Sequence, residues 1–368
     1  MATTRFLMVG GFLGAGKTTA IGRLARRYID QGRRVGIVTN DQAFELVDTK
    51  TLRAQGFDVG EVPGACFCCK FDELLESAAA LGASAQPDIV LAEPVGSCTD
   101  LVATVIQPLM QLYGERYDVG PLAVLLKPGH GQKILRQESG IGFSPKAAYI
   151  FLKQIEEAEI VAINKIDKLT ANEQQELIDL VAARFPDKNV LGISAREGEG
   201  WEAFCLELDR PRPAAKRTLD IDYDTYAEGE AEMGWLNCSV TLDQPAKPMP
   251  LGQVARQLVT HIRDSLAEHH AEPIHLKVMA QGGDGWAVAN LVSSEDDVEA
   301  ARSSNVLTQR CQLVVNARVA TDPQLLSEVV TSAIGKLAAA HTAKFQIADL
   351  QSFRPGRPVP THRLSSDT

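Results

Sequence analysis

The stretch RFLMVGGFLGAGKTT, Arg5 to Thr19, decides the fold. Its apolar start, residues 5–9, reads as a buried strand that runs into glycines. Residues 17–30 (KTTAIGRLARRYID) then carry apolar positions at helical spacing. Between the two, Gly11 to Thr18 fits G-x-x-x-x-G-K-[ST] without a mismatch, and a strand before it with a helix after it is the setting that pattern requires. The loop of Gly11, Gly14, Ala15 and Gly16, with Thr19 in the first helical turn, is expected to close backbone N–H groups around phosphate oxygens. The helix N-terminus adds a favourable field for negative charge. Lys17 is expected to reach the β- and γ-phosphates as a catalytic cation, and the Thr18 hydroxyl to bind Mg²⁺.

The loop predicts a doubly covered sheet, and the following chain supplies it. Short apolar runs at 33–40, 57–62, 87–93, 121–127, 158–164 and 189–194 read as strands. Helical patterns lie between them, notably at 71–83, 145–157 and 171–184. Apolar strands alternating with helices imply a mostly parallel sheet covered by helices on both faces. The reading is therefore an α/β P-loop NTPase domain over residues 1–208. An acidic, proline-containing linker follows at 209–234, then a small C-terminal α+β domain at 235–350 with the order β-α-β-β-β-α. A tail at 351–368 reads as disordered. Two domains suit a chain of 368 residues.

Four further segments point to a nucleotide and its base. Asn164-Lys165-Ile166-Asp167 follows the strand at 158–164. The Asp167 carboxylate could accept from both the ring N–H and the exocyclic amine of guanine, a pair that adenine does not offer. A polar strand-to-helix turn is the plainer alternative. Ser194 and Ala195, after the next strand, would complete the base pocket with a backbone amide. DIVLAEPVG (88–96) ends in Glu93, which could hold an Mg²⁺-bound water or orient the attacking one, or simply cap a helix. The Gly96 amide could bond the γ-phosphate, so that this segment shifts on hydrolysis. Asp41, in VTND at the same rim, is a candidate carboxylate toward Mg²⁺ through water, against an ordinary turn residue.

GACFCCKF, Gly64 to Phe71, puts three of the chain's seven cysteines, Cys66, Cys68 and Cys69, within four positions. Thiolates suit Zn²⁺, Co²⁺ and Cu(I). At a helix start their pKa values should be lowered, and three ligands leave one position open for release. A C-x-x-C redox pair and plain core packing stand as alternatives. An odd, irregular cysteine count fits a reducing cytoplasm better than a disulfide framework. The net charge of −10 argues against nucleic acid as a main partner. No apolar run is long enough for a membrane span.

In this order, GGFLGAGKTT, the C-x-C-C triplet, E-x-x-G and NKID resemble the CobW-like GTPases, relatives of the UreG and HypB proteins that insert nickel into urease and hydrogenase. The resemblance covers about residues 5–208. It implies a GTPase that handles transition metals, with zinc and cobalt often named, as a metallochaperone or insertase for a client metalloprotein. A homodimer is one assembly it allows. There are departures. Asn40-Asp41-Gln42-Ala43-Phe44 stands where an N-E-F-G-type segment is usual, Ala65 separates Gly64 from Cys66, and Pro94-Val95 follow the glutamate. Leu126-Lys127-Pro128 replaces V-D-A, and the C-terminal domain has no H-x-H-x-H run. A GTP-dependent regulatory module that senses metal, and a small-molecule kinase, remain as alternatives.

Overall fold

A computed structural model describes residues 3–41, 47–81, 86–136, 144–211, 218–302, 304 and 306–364. In chain order the first part contains β1 (Thr4–Gly11), α1 (Lys17–Asp30), β2 (Val35–Asp41), α2 (Val47–Ala54), β3 (Asp58–Pro63), α3 (Phe71–Ala80) and β4 (Ile89–Glu93). A π-helical turn at Val102–Ile106 leads into α4 (Gln107–Tyr113). There follow β5 (Tyr117–Val119), β6 (Ala123–Leu126), α5 (Pro128–Leu135), α6 (Pro145–Glu157), β7 (Ile160–Ile163), α7 (Ala171–Arg184), β8 (Asn189–Gly192), α8 (Trp201–Asp209) and α9 (Tyr223–Ala231).

The first eight strands form one sheet in the order β3-β2-β4-β1-β6-β7-β8, with β5 also against β1. Every pairing in it is parallel. β1 is buried along nearly its whole length, as a central strand covered on both faces must be. β8 is an edge strand and only half-buried. Chain order reverses on either side of β1, so the loop after it opens where the strand ends diverge, the usual ligand crevice of such sheets. Local chemistry agrees with the elements. Thr170 and Glu173 form a reciprocal capping box at the start of α7, and Asp72 and Glu73 place negative charge in the first turn of α3.

The second part contains β9 (Gly234–Asp243), β10 (Met249–Pro250), α10 (Leu251–Glu268), β11 (Glu272–Gly282), β12 (Gly285–Leu291), β13 (Glu299–Arg302), β14 (Leu307–Thr308), β15 (Arg310–Ala320), α11 (Pro323–Ala340) and β16 (Lys344–Phe353). Six of these strands make an antiparallel sheet in the order β13-β12-β11-β15-β9-β16. α10 and α11 bury their apolar faces against it. Met279, Trp286, Val288 and Val314 cluster with Val47 of α2. The Val47 N–H donates to Asn316 Oδ1 at 2.8 Å, and Asp48 pairs with Lys277.

By packing, the chain forms two compact units. Among the described residues, one is drawn from Met1–Gln42, Gly56–Gly229 and Arg357–Thr368, the other from Ala43–Gln55 and Glu230–Gly356. Three sequence expectations need correction. First, the helix after β2 belongs to the second unit, although it interrupts the first in sequence. Second, the acidic linker contains α9, whose Tyr226 is only 1% exposed; one buried aromatic on a weakly amphipathic helix leaves little periodic signal. Third, the tail is not structureless up to Leu364. β16 pairs with β9 over residues 344–353. Residues 357–364 then run as an extended strap held by hydrogen bonds and ring contacts instead of core burial. Residues 212–217 and 365–368, also in the expected linker and tail, lie outside the described residues.

Candidate functional site: a phosphate loop beside a thiol cluster

The phosphate loop has the backbone its glycines imply. Gly11, Gly14 and Gly16 all have positive φ, at 132°, 74° and 93°. A Cβ on Gly16 would lie 2.4 Å from Asn164 Nδ2, and one on Gly11 would lie 2.4 Å from the Leu125 carbonyl oxygen. Both positions therefore exclude a side chain on conformation and on space. Ala15 is fully buried, and its N–H donates to the Phe12 carbonyl at 3.1 Å. Lys17 is 8% exposed and folds back over the loop, donating from Nζ to the Gly11 carbonyl at 2.9 Å. Thr18 and Thr19 occupy the first turn of α1, Thr19 exposed.

Thr18 Oγ1 donates to Glu93 Oε1 at 3.0 Å, so the expected Mg²⁺ hydroxyl and the carboxylate at the end of β4 are brought together. Glu93 is 5% exposed and in register with Thr39 of β2. Gly96 packs on the phosphate loop, where a Cβ would lie 2.6 Å from Leu13 Cδ2 and 3.1 Å from the Leu13 amide nitrogen. Asp41 ends β2, but its side chain and residues 42–46 lie outside the described residues.

The base side is held together by one asparagine. Asn164 Nδ2 donates to the Ala15 carbonyl at 2.8 Å, and its Oδ1 accepts from the Ala195 N–H at 2.9 Å. That side chain thus ties phosphate loop, β7 end and β8 loop into one frame. Arg23 of α1 reinforces it by donating to the Ala195 and Arg196 carbonyls at 3.1 and 3.0 Å. Ser194 is fully buried and its Oγ accepts from the Glu197 N–H at 2.9 Å. Lys165 adopts a left-handed conformation, φ 66°, which turns the chain so that Asp167 stands exposed on the next short turn.

The cysteines converge. Cys66 Sγ lies 2.7 Å from Cys68 Sγ and 3.3 Å from Cys69 Sγ, and Cys68 and Cys69 are 3.7 Å apart. They are the one group among the described residues with three metal-ligating atoms so close together. All are free thiols. Sulfurs bound tetrahedrally to one Zn²⁺ at about 2.3 Å would sit roughly 3.8 Å apart, so the Cys68–Cys69 edge already fits and Cys66 must move outward by about 1 Å. The donor set therefore suits a soft or borderline transition metal.

Its protonation differs from the sequence expectation of three lowered pKa values. Hydrogen bonds donated by Cys68 and its neighbours hold the Cys66 thiol well below its ordinary range. The same contact with Cys66 pushes Cys68 well up, and Cys69 up to about 11. With no cation among them, three close sulfurs cannot all be anions, so one ionises and the others donate to it. A bound cation would reverse that order.

Asn40 positions this loop. Its Nδ2 donates to the carbonyls of Val62 and Ala65, both at 2.7 Å, and its Oδ1 accepts from the Phe67 N–H at 2.8 Å. Sequence reasoning noticed Asn40 only as part of its segment. Its adjacency to Asp41 was the available signal, but the three contacts are long-range. The strap reaches the same loop. The Val359 N–H donates to Cys69 Sγ at 3.2 Å, the Thr361 N–H to the Cys68 carbonyl at 2.8 Å, and Thr361 Oγ1 to the Cys69 carbonyl at 3.1 Å. His362 meets Phe71 edge to face at 5.0 Å, and Arg363 Nε pairs with the buried Asp100 at 2.8 Å.

A parallel sheet with a phosphate loop, an NKxD turn locked to that loop and a glycine packed against it define a P-loop nucleotide-binding protein. The chain belongs to the CobW/HypB/UreG family, whose nucleotide-binding domain matches residues 5–191. No curated protein gives a significant match over the chain. Solved structures similar to it include the Zn(II)-bound YjiA GTPase from E. coli, at 15% identity and a TM-score of 0.39, covering 92% of this chain and 99% of that one. HypB from Archaeoglobus fulgidus is 16% identical with a TM-score of 0.37, over 55% of this chain and 87% of that one. HypB from Helicobacter pylori in complex with nickel is 18% identical with a TM-score of 0.37, over 55% and 84%. No described helix is long and apolar enough to cross a membrane.

Proposed function

We propose that the protein is a GTPase that carries a transition metal, Zn²⁺ or Co²⁺, on Cys66, Cys68 and Cys69 and gives it up to a client protein when GTP is hydrolysed. The observation that carries this reading is Asn40. Three hydrogen bonds from one side chain fix the thiol loop to the end of β2, one residue before the candidate Mg²⁺ carboxylate Asp41. A change at the γ-phosphate that moves the end of β2 therefore moves the sulfurs.

Guanine is read by Asp167, with Asn164, Lys165, Ser194 and Ala195 shaping the pocket around it. Lys17 and the loop N–H groups of Gly11, Gly14, Ala15, Gly16, Thr18 and Thr19 bind phosphate. Thr18 and Glu93 fit Mg²⁺, which would neutralise charge on the β- and γ-phosphates; Asp41 would support it through water. Glu93 orients the attacking water, and Gly96 reports the γ-phosphate. Metal binding displaces thiol protons to solvent, so affinity falls at acid pH. A reducing cytoplasm suits the free thiols, and self-association into a homodimer is compatible with the reading.

The test is metal content of anaerobically purified protein, wild type against the Cys66/Cys68/Cys69→Ser triple variant, with a non-hydrolysable GTP analogue and with GDP. Near-stoichiometric metal in the wild type only, with affinity that differs between nucleotides, is the expected outcome. Equal Zn²⁺ affinity in the two nucleotide states removes the coupling, and metal retained by the triple variant removes the site.

A further inference from the structure

The strap at residues 357–364 holds the thiol loop by its middle and is fastened at both ends to other segments. In the middle, the Val359 N–H, the Thr361 N–H and Thr361 Oγ1 donate to Cys69 Sγ, the Cys68 carbonyl and the Cys69 carbonyl, at 3.2, 2.8 and 3.1 Å. At one end Arg357 Nε donates to Asp224 Oδ1 of α9 at 2.8 Å. At the other, Arg363 donates from Nε to Asp100 Oδ2 and from Nη2 to the Leu219 carbonyl, both at 2.8 Å. The two guanidiniums lie over one ring, that of Tyr223, at 5.6 and 5.9 Å from its centroid.

These contacts are mostly polar, and the strap is shallow. Val359 is 71% exposed, and Thr361 and Arg363 are exposed as well. A segment that buries little apolar surface opens at a small fraction of the free energy of global unfolding. Pro358 and Pro360 keep the backbone extended whether it is attached or free, so reattachment costs little entropy. The fastening at Asp100 is itself imperfect. The Asp100 side chain is 1% exposed and that of Arg363 37%, so the guanidinium reaches inward from the surface to meet it. Asp100 Oδ2 accepts from both Arg363 and the Tyr223 hydroxyl, the latter at 2.7 Å. Its Oδ1 is buried with no hydrogen-bond partner among the described residues, and its backbone is left-handed, φ 63°. Both features oppose the closed arrangement, the first through lost hydration and the second through backbone strain.

We propose that the strap is an autoinhibitory clasp on the thiol loop: fastened by Arg363 to Asp100 it shields Cys69 from large reactants, and its local detachment, without unfolding of the parallel sheet, opens the sulfurs to an ion or a recipient protein. The purpose of such a clasp rests on the metal-carrier reading above. Its existence is tested on metal-free protein, so failure of metal uptake is a separate result.

The experiment reads access and opening separately. Reduced, metal-free, full-length protein is treated at fixed pH with N-ethylmaleimide and with a maleimide carried on a bulky polymer, and labelling of Cys69 is followed by peptide mapping. Both reagents attack the thiolate, so the ratio of their rates cancels any change in ionisation and reports steric access. Arg363→Ala should raise the bulky-to-small ratio about 10- to 100-fold, the span expected when the closed state loses a charge-assisted hydrogen bond, and Arg363→Lys should raise it less. Retained binding of a fluorescent GTP analogue shows that each variant is folded. An unchanged ratio in folded Arg363→Ala overturns the proposal. Hydrogen exchange of the wild type needs no variant. The amides of Val359, Thr361 and Leu364 should exchange together, about 100-fold or more faster than those of β1. Exchange as slow as that of β1 means that the strap leaves only on global unfolding, and overturns the clasp.

Discussion

The base side and the thiol cluster both follow the phosphate loop in sequence, and they are prepared to different degrees. On the base side, Asn164 has its amide and carbonyl both committed, to Ala15 and to Ala195, and the frame is complete before any ligand arrives. On the metal side, the backbone is held by Asn40 while the sulfurs are drawn together as close as 2.7 Å, nearer than a shared ion would leave them. The difference follows from charge. Neutral amides satisfy each other without help, whereas three thiolates need a cation before they can be arranged as ligands. The nucleotide end is a template, whereas under the proposed reading the thiol loop takes its ligand geometry only with an ion.

The comparison is broken most severely at Gly16. Gly16→Ala inserts a Cβ 2.4 Å from Asn164 Nδ2 at a φ of 93°, so it attacks the one side chain that frames the base pocket. Nucleotide affinity should fall by about 100-fold or more, seen in titration with a fluorescent GTP analogue. Unchanged affinity would show that the Asn164 frame is dispensable. Asn40→Ala acts on the other side. It should leave GTP binding within about twofold while weakening Zn²⁺ binding roughly 10- to 100-fold by calorimetry, as loss of a group that orients metal ligands does.

A smaller effect is expected from the strap. Val359→Pro removes the N–H that donates to Cys69 Sγ and leaves the rest of the segment extended, between Pro358 and Pro360. Zn²⁺ release to a chelator should quicken by about threefold to tenfold, with nucleotide affinity unaltered. An unchanged release rate would mean that the strap covers the loop without tuning it.

A further effect, on stability and not on binding, lies beneath the loop after β4. Glu157 accepts from Thr99 Oγ1 and the Val102 N–H, and burial pushes its carboxyl up to about 8. Its folded pKa is raised, so its contribution to stability is fully present below the ordinary carboxyl range and is lost as pH rises through about 8. Between those limits the slope is at most about 1.4 kcal/mol per pH unit. Thermal midpoints should fall across this window, and Glu157→Gln should flatten the fall. A wild-type midpoint that does not move would place the proton elsewhere.

How much of this was legible depended on distance along the chain. The phosphate loop, NKID and the cysteine triplet are local patterns, because each is a short run marked by its own residue types and spacing. Asp72 and Glu73 at the start of α3 and the capping box of α7 were readable for the same reason. Asn40 was not, because its partners at Val62, Ala65 and Phe67 lie on the next strand and its loop. β16 escaped because it is an edge strand with mostly exposed side chains, and the strap because polar hydrogen bonds, not apolar periodicity, hold it. Sequence patterns report what a segment buries, and these segments bury little.

The strap has a consequence for the order in which the protein is made. Cys69 and Val359 are 290 positions apart, and the whole second antiparallel sheet is encoded between them. During translation the thiol loop emerges early and waits, while the backbone donor that reaches Cys69 arrives only after that sheet has been synthesised. A nascent chain consequently presents its sulfurs to the cell without their cover.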